Sequence, residues 1–166
     1  MKEANFRFDN KLEVTHLNTY FSYTDSLMQA KDLRLQTPQT DLQGTITMLP
    51  HNGSFGDFVN KVVFDVHLPK AIVNTTDLNA FYNGFNGGRN IVLEGVTMKG
   101  TLNNFVISQG KISYQNTLIE GDLAFQNLLS QHANIAVIAK NVHAESIYND
   151  LAYLMPEVLG KNIPEE

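Results

Sequence analysis

Residues 41–49, Asp41-Leu-Gln-Gly-Thr-Ile-Thr-Met-Leu49, alternate strictly. Leu42, Gly44, Ile46 and Met48 fall on one face, and Asp41, Gln43, Thr45 and Thr47 on the other. A side-chain period of two marks a half-buried β-strand. Residues 58–68 repeat the pattern, with Phe58, Val62, Phe64, Val66 and Leu68 together and Lys61, Asp65 and His67 opposite. Weaker copies follow at 91–98, 100–108, 110–117, 118–126 and 133–140, and 12–23 and 27–37 read the same way upstream. Ten or so strands joined by short turns account for most of the chain.

Two segments depart from this period. Residues 75–84 open with a Thr/Asp cap and carry Leu78, Phe81 and Tyr82 at helical spacing. Residues 146–155 open with Ser146, carry Ile147, Leu151, Leu154 and Met155, and stop at Pro156. Each predicts one short helix. Their starts lie 146 − 75 = 71 residues apart, which suggests a loose internal repeat of strands plus one helix. A second recurring unit is an apolar residue, a polar residue and then glycine: Leu42-Gln-Gly44, Leu93-Glu-Gly95, Ile119-Glu-Gly121, and in related form Met98-Lys-Gly100. Glycine weakens a strand, so its recurrence there points to a bulge, a bend or a close backbone approach. The expected fold is therefore all-β with two short helices in a single module spanning 1–166. Its sheet is strongly curved, mainly antiparallel and open as a groove, and a closed β-sandwich is the alternative.

Composition narrows the function classes. The 166 residues include no Cys and no Trp, and 12 Lys+Arg against 17 Asp+Glu give a net charge of −5. A mildly acidic chain with three arginines (Arg7, Arg34, Arg89) is a poor match for nucleic acid, which requires clustered cations. Without cysteine there are no disulfides, no thiolate nucleophile and no zinc–thiolate site. Asparagine is abundant, 18 residues, while only 17% of the chain is charged, so neutral polar groups carry the surface. No run reaches the roughly 18 apolar residues of a membrane-spanning helix, and residues 1–9 lack the apolar stretch of a signal peptide.

Catalytic chemistry is not legible. His16, His51, His67, His132 and His143 contain no pair at i, i+2 or i, i+4, and no G-x-S-x-G elbow, phosphate-binding loop or H-E-x-x-H helix occurs. Gly84-Phe-Asn-Gly87-Gly88-Arg89 follows a predicted helix, which suits helix termination better than a phosphate cradle. Glu120 and Asp122 share a strand face, read as a solvated one. No enzyme activity, metal or cofactor is expected. An apolar face of this extent is either buried against another layer or occupied by something apolar.

The order of motifs adds a resemblance. Leu17-Asn-Thr-Tyr-Phe-Ser-Tyr23-Thr-Asp25, followed by Ala30-Lys-Asp-Leu33-Arg-Leu35-Gln-Thr37-Pro38-Gln-Thr-Asp-Leu42, resembles the TamB-like translocation and assembly module proteins of Bacteroidetes-type bacteria. Thr75-Thr-Asp77-Leu78-Asn-Ala-Phe81, Leu93-Glu-Gly95 through Gly100-Thr-Leu102-Asn-Asn-Phe105, and Asp150-Leu151-Ala-Tyr-Leu154-Met-Pro156 continue the similarity over about residues 12 to 166. The chain departs from the family in the displaced aspartate of Glu145-Ser-Ile-Tyr-Asn-Asp150 and in its short, glycine-rich segment between Leu49 and Phe58.

TamB and its AsmA-like relatives are anchored envelope proteins whose periplasmic part is a curved β-groove, associated with phospholipid movement between membranes and with outer-membrane protein assembly. The resemblance implies that this chain is an internal slice of such a groove in the periplasm, with the anchor and the C-terminal region that meets an outer-membrane assembly protein lying elsewhere. Leu42, Ile46, Met48, Phe58, Val62, Phe64, Val66, Leu93, Leu102, Ile112, Leu123 and Phe125 would then line it and hold phospholipid or another acyl-chain lipid. An isolated slice exposes sheet edges, so an edge-to-edge homodimer is a further expectation. Two other readings stand beside this one: a structural or adhesive cell-surface β-protein with a closed core, and a carbohydrate-binding β-domain using Tyr20, Tyr23, Tyr82, Tyr114, Tyr148 and Tyr153.

Overall fold

The computed structural model describes residues 6–8, 12–80, 84–128, 136–145, 148–154 and 156. Among the described residues ten strands and two helices follow one another as β1 (Phe6–Phe8), β2 (Leu12–Val14), β3 (His16–Thr24), β4 (Leu27–Gln36), β5 (Asp41–Leu49), β6 (Val63–Asn74), α1 (Thr75–Leu78), β7 (Asn90–Gly100), β8 (Phe105–Tyr114), β9 (Thr117–Gln126), β10 (Ala136–Glu145) and α2 (Tyr148–Leu154). The strands β3 to β10 form one eight-stranded antiparallel sheet in chain order, while β1 and β2 pair only with each other. The sheet is open and does not close into a barrel, and the other sheet among the described residues is the short β1–β2 pair, so the open sheet and not a closed sandwich is the architecture.

The alternation in 41–49 is strand β5 as expected. Other boundaries move. Residues 58–62 belong to a turn, not to the strand: Asp57 has φ 47° and its carbonyl accepts from the Asn60 and Lys61 N–H groups, so the chain cannot extend until Val63. The expected strands 100–108 and 110–117 merge across Gln109-Gly110 into β8, which is shorter than both together: residues 101–104 form the β7–β8 turn and Thr117 opens β9. The first helix is capped by Asn74, whose Oδ1 accepts from Thr76 N–H at 2.9 Å, and it ends after one turn. Phe81, Tyr82, Ser146, Ile147 and Met155 lie outside the described residues.

The sheet is interrupted in a band that crosses five of its seven strand pairs. Register slips occur at Asn18/Tyr20 on β3, Ala30/Leu33 on β4, Gln43/Thr45 on β5, Ile107/Gly110 on β8 and Lys140/His143 on β10. Asp32, Gly95, Gln109 and Asn141 adopt positive φ there (47°, 62°, 54° and 52°). β6 and β7 keep a constant mutual register because both step together: Leu68 pairs with Val96, and Ala71 with Leu93. A bulge shifts the pleat by one residue, and the apolar set shifts with it. On β4 it passes from Leu35 and Leu33 to Ala30 and Met28, and on β7 from Ile91 and Leu93 to Val96 and Met98. One apolar face is thereby kept across the whole sheet, and the bulges bend it.

Gly44, Gly95 and Gly121 of the apolar-polar-Gly units sit in this band, while Gly100 ends β7. A Cβ on Gly44 would stand 2.1 Å from the His67 carbonyl oxygen, and one on Gly121 would stand 2.5 Å from that of Asn141. The two positions are equivalent, because the molecule is a tandem repeat of four strands and a helix, β3–β6–α1 followed by β7–β10–α2. Matching strand pairs superimpose in sequence: Leu33↔Gly44 becomes Gly110↔Gly121 and Met28↔Met48 becomes Phe105↔Phe125, each at an offset of 121 − 44 = 77. From β6 onward the offset is 150 − 77 = 73, so Ala71 matches Ala144 and Asp77 matches Asp150.

The repeated helices do repeated work at the same end of the sheet. The Asp77 carboxylate accepts from the hydroxyls of Thr37 and Thr40, both at 2.6 Å, so α1 clasps the turn between β4 and β5. In the second repeat Asp150 accepts from Asn116 N–H at 3.1 Å and from the Thr117 hydroxyl at 3.4 Å, clasping the turn between β8 and β9. Asparagine supplies much of the remaining turn chemistry. Asn79 exchanges two hydrogen bonds with the Phe85 backbone, Asn103 donates to Asn60 Oδ1, and Asn104 Oδ1 accepts from Asn127 N–H. The asparagine count thus reflects turns and bulges as much as surface polarity.

Candidate functional site

The apolar face is the candidate site. Its centre is a cluster of Val62, Phe64, Val66, Leu68, Ala71 and Val96, each at most 8% exposed. Leu42, Ile46, Met48, Leu93, Leu102 and Ile112 pack against it half-buried. Leu123 is buried opposite Ile107, and Phe125 stacks on Phe105 with ring centroids 4.8 Å apart. The predicted groove residues therefore share one face, with ten of them on the strands or in the β7–β8 turn. Phe58 and Val62 reach it from residues 50–62, the loop between β5 and β6.

That loop covers one end of the face. Phe58 meets Phe64 edge-on at 5.4 Å, Phe55 packs against Tyr23 at 6.2 Å, and the Val59 carbonyl accepts from Asn103 N–H. It spans the end of the sheet from β3 to the β7–β8 turn, which is how a single sheet buries Val62 completely. Sequence reasoning placed Phe58 and Val62 on a groove wall; they are part of a cover. The signal for the difference was present in Asp57-Phe-Val-Asn60, two turn-forming residues three apart, where the Asn60 side-chain amide donates to Asp57 Oδ1 at 2.7 Å across the turn.

The opposite end is braced by the two helices and the glycine-rich loop. Asn86 N–H donates to the Leu154 carbonyl at 3.1 Å, its side-chain amide donates to the Tyr153 carbonyl, and the Arg89 guanidinium lies 5.4 Å over the Tyr153 ring. The loop after α1 thus holds α2; the helix itself ends at Asn79 in right-handed conformation, and Gly88 with φ 77° lies nine residues beyond, so the glycines shape the loop and do not terminate the helix. Beneath α2, burial pushes the Tyr114 phenol above its ordinary value of 10.0, opposed by the hydrogen bond its Oη accepts from Gln115. A raised value means that the folded chain holds this proton longer than the unfolded chain does. Stability is therefore unaffected below pH 10 and falls as pH rises above it. Tyr114→Phe should remove that part of the alkaline loss, read by denaturant melts at successive pH values.

Toward the flanks the face is uncovered. Phe21 and Tyr23 on β3 are 60% and 58% exposed, and Val137 on β10 is 47% exposed. The other face is polar. Lys99 with Asp65 and Lys111 with Glu120 form exposed cross-strand ion pairs at 3.4 Å, of the kind that contribute at most about 1 kcal/mol each. An open depression of about 410 Å³ lies on this face at the bulge band, between Asp32, Arg34, Gln43, Thr45 and His67. Among the described residues no group of three or more His, Asp and Glu side chains could hold a metal ion. Tyr20 and Tyr23 point to opposite faces, Tyr114 is buried and Tyr153 stands at the helix end, so these four tyrosines do not share one exposed face.

No protein-family model, curated protein or solved structure matches the chain. No helix is long and apolar enough to cross a membrane among the described residues.

Proposed function

We propose that this chain is a lipid-holding module, a segment of a periplasmic envelope protein of the TamB-like and AsmA-like kind, in which the apolar sheet face holds or conducts acyl chains between membranes and supports outer-membrane assembly. It does so without catalysis. The observation that carries this reading is the bulge band: where strands step, as on β4, β7 and β8, the apolar residues stay on one face, which is wider than its cover. Lipid is then held by burial of acyl surface, at roughly 25 cal/mol per Å². The resemblance of the Tyr23-Thr-Asp25, Thr37-Pro38 and Asp77-Leu78 motifs supports the same class.

Lipid extraction and mass spectrometry of the purified chain should find phospholipid or fatty acid. A charge among acyl chains is costly, so Ile112→Asp should lower binding of a fluorescent phospholipid about ten-fold, whereas Val106→Asp, on the polar side, should leave it unchanged. The filled centre around Val62 and Val96 favours a second reading, a structural β-protein with a closed core. A lipid-free chain that ignores fluorescent lipid, with circular dichroism unaltered, would establish that reading instead.

A further inference from the structure

The two edges of the sheet are the two halves of a junction that the chain already contains. β6 ends the first repeat and β7 begins the second, and they pair antiparallel from Phe64↔Gly100 to Asn74↔Asn90. β10 is the second repeat's copy of β6, and β3 is the first repeat's copy of β7. In the eight-stranded sheet, β10 pairs only with β9 and β3 only with β4. We propose that β10 of one chain pairs antiparallel with β3 of a second copy, so that chains associate head to tail in the register that β6 and β7 hold within each chain.

Exposure differs between equivalent positions in the way this pairing requires. Phe64, Val66 and Ala71 on β6 are 8%, 8% and 1% exposed. Their counterparts Val137, Ala139 and Ala144 on β10 are all exposed, because among the described residues β9 alone pairs with that strand. On the other edge Phe21 and Tyr23 are exposed, while Met98, the counterpart of Phe21, is half-buried. Transferring the internal register gives three cross-chain pairs on the apolar face: Val137 with Tyr23, Ala139 with Phe21, and Ala144 with Leu17. Large residues on one edge thus meet small residues on the other. A symmetric β3–β3 contact would crowd Phe21 and Tyr23 together, and a symmetric β10–β10 contact would crowd Lys140 against its own copy. A head-to-tail interface leaves one edge free at each end, so association proceeds beyond the dimer, and it would extend the apolar face without a break.

The chain has no cysteine, so single cysteines report the pairing cleanly. Mixing Val137→Cys chains with Tyr23→Cys chains under mild oxidation should give a disulfide-linked dimer in excess of that formed by either variant alone. Ala144→Cys with Leu17→Cys should behave likewise, and Val137→Cys with Leu17→Cys, out of register, should not. Sedimentation of the unmodified chain should show mass rising past the dimer with concentration. Phe21→Lys, an edge charge that opposes strand addition, should abolish that rise with circular dichroism unchanged. Cross-linking confined to each variant alone, an association that stops at the dimer, or a chain that stays monomeric at its highest soluble concentration would each overturn the proposal.

Discussion

Gly44→Ala is expected to lower the unfolding free energy by about 3–5 kcal/mol, the range of severe core substitutions. The added Cβ would lie 2.1 Å from the His67 carbonyl oxygen, 3.1 Å from its carbon and 3.0 Å from Leu68 Cδ2. Two of these three atoms are backbone, and they belong to β6, the strand between β5 and β7 that carries much of the core. β6 cannot withdraw without separating its ladder to β7 and uncovering Val66, Leu68 and Ala71. Gly88→Ala is the control: its Cβ would meet nothing within 4 Å, and only the left-handed φ of 77° opposes it. About 1 kcal/mol is the corresponding loss. Denaturant melts of the two variants measure the difference, and equal losses would mean that the bulge band relaxes freely.

The same substitution in the second repeat should behave differently. A Cβ on Gly121 would lie 2.5 Å from the Asn141 oxygen and 2.9 Å from Val142 Cα. Those atoms are on β10, which is held on one side only, so the strain is released by detaching one edge strand. Gly121→Ala should therefore raise amide exchange over 136–145 while global stability falls less than in Gly44→Ala.

Alternation exposed β5 in the sequence because β5 holds its parity through the bulge: Leu42, Gly44, Ile46 and Met48 stay in phase. It failed on β8, where the apolar positions step from Ile107 to Gly110, and a reader following period two breaks the strand there. The recurring glycines announced a close approach or a bulge, and both occur, but the partners of those glycines, Asp32, Gln109 and Asn141, are ordinary polar residues with no local signature. The repeat was legible only loosely. Its strands match at an offset of 77 and its helices at 73, because the connection between β9 and β10 is four residues shorter than that between β5 and β6. No single offset aligns both. The apolar face was largely legible, since nine of its twelve expected residues lie on strands where the pattern placed them, and Leu102 lies in the β7–β8 turn. The cover was not, because Phe58 and Val62 are apolar residues in a turn and continue the alternation of the strand that follows.

Asp77→Ala should be the most damaging change at the helix end, by about 2–4 kcal/mol. The carboxylate receives two hydroxyl hydrogen bonds of 2.6 Å from Thr37 and Thr40, and bonds to a charged acceptor contribute about 1.5–3 kcal/mol each. Thr40 is 7% exposed and also accepts from Asn74 N–H at 3.0 Å, so its hydroxyl links the β4–β5 turn, the end of β6 and α1 in one network. Removing Asp77 strands two hydroxyls in a closed site, one of them a shared node. The repeat provides an internal comparison: Thr117 and Asp150 stand in the equivalent places, but their contact is 3.4 Å and the shorter bond comes from Asn116 N–H. A double-mutant cycle of Thr40→Val with Asp77→Ala should therefore give a coupling energy of about 1–2 kcal/mol, and the cycle of Thr117→Val with Asp150→Ala a smaller one. Equal couplings would mean that hydroxyl distance does not govern the clasp. A negligible coupling in the first cycle would remove Thr40 from the network and leave Thr37 as the partner through which α1 holds the turn.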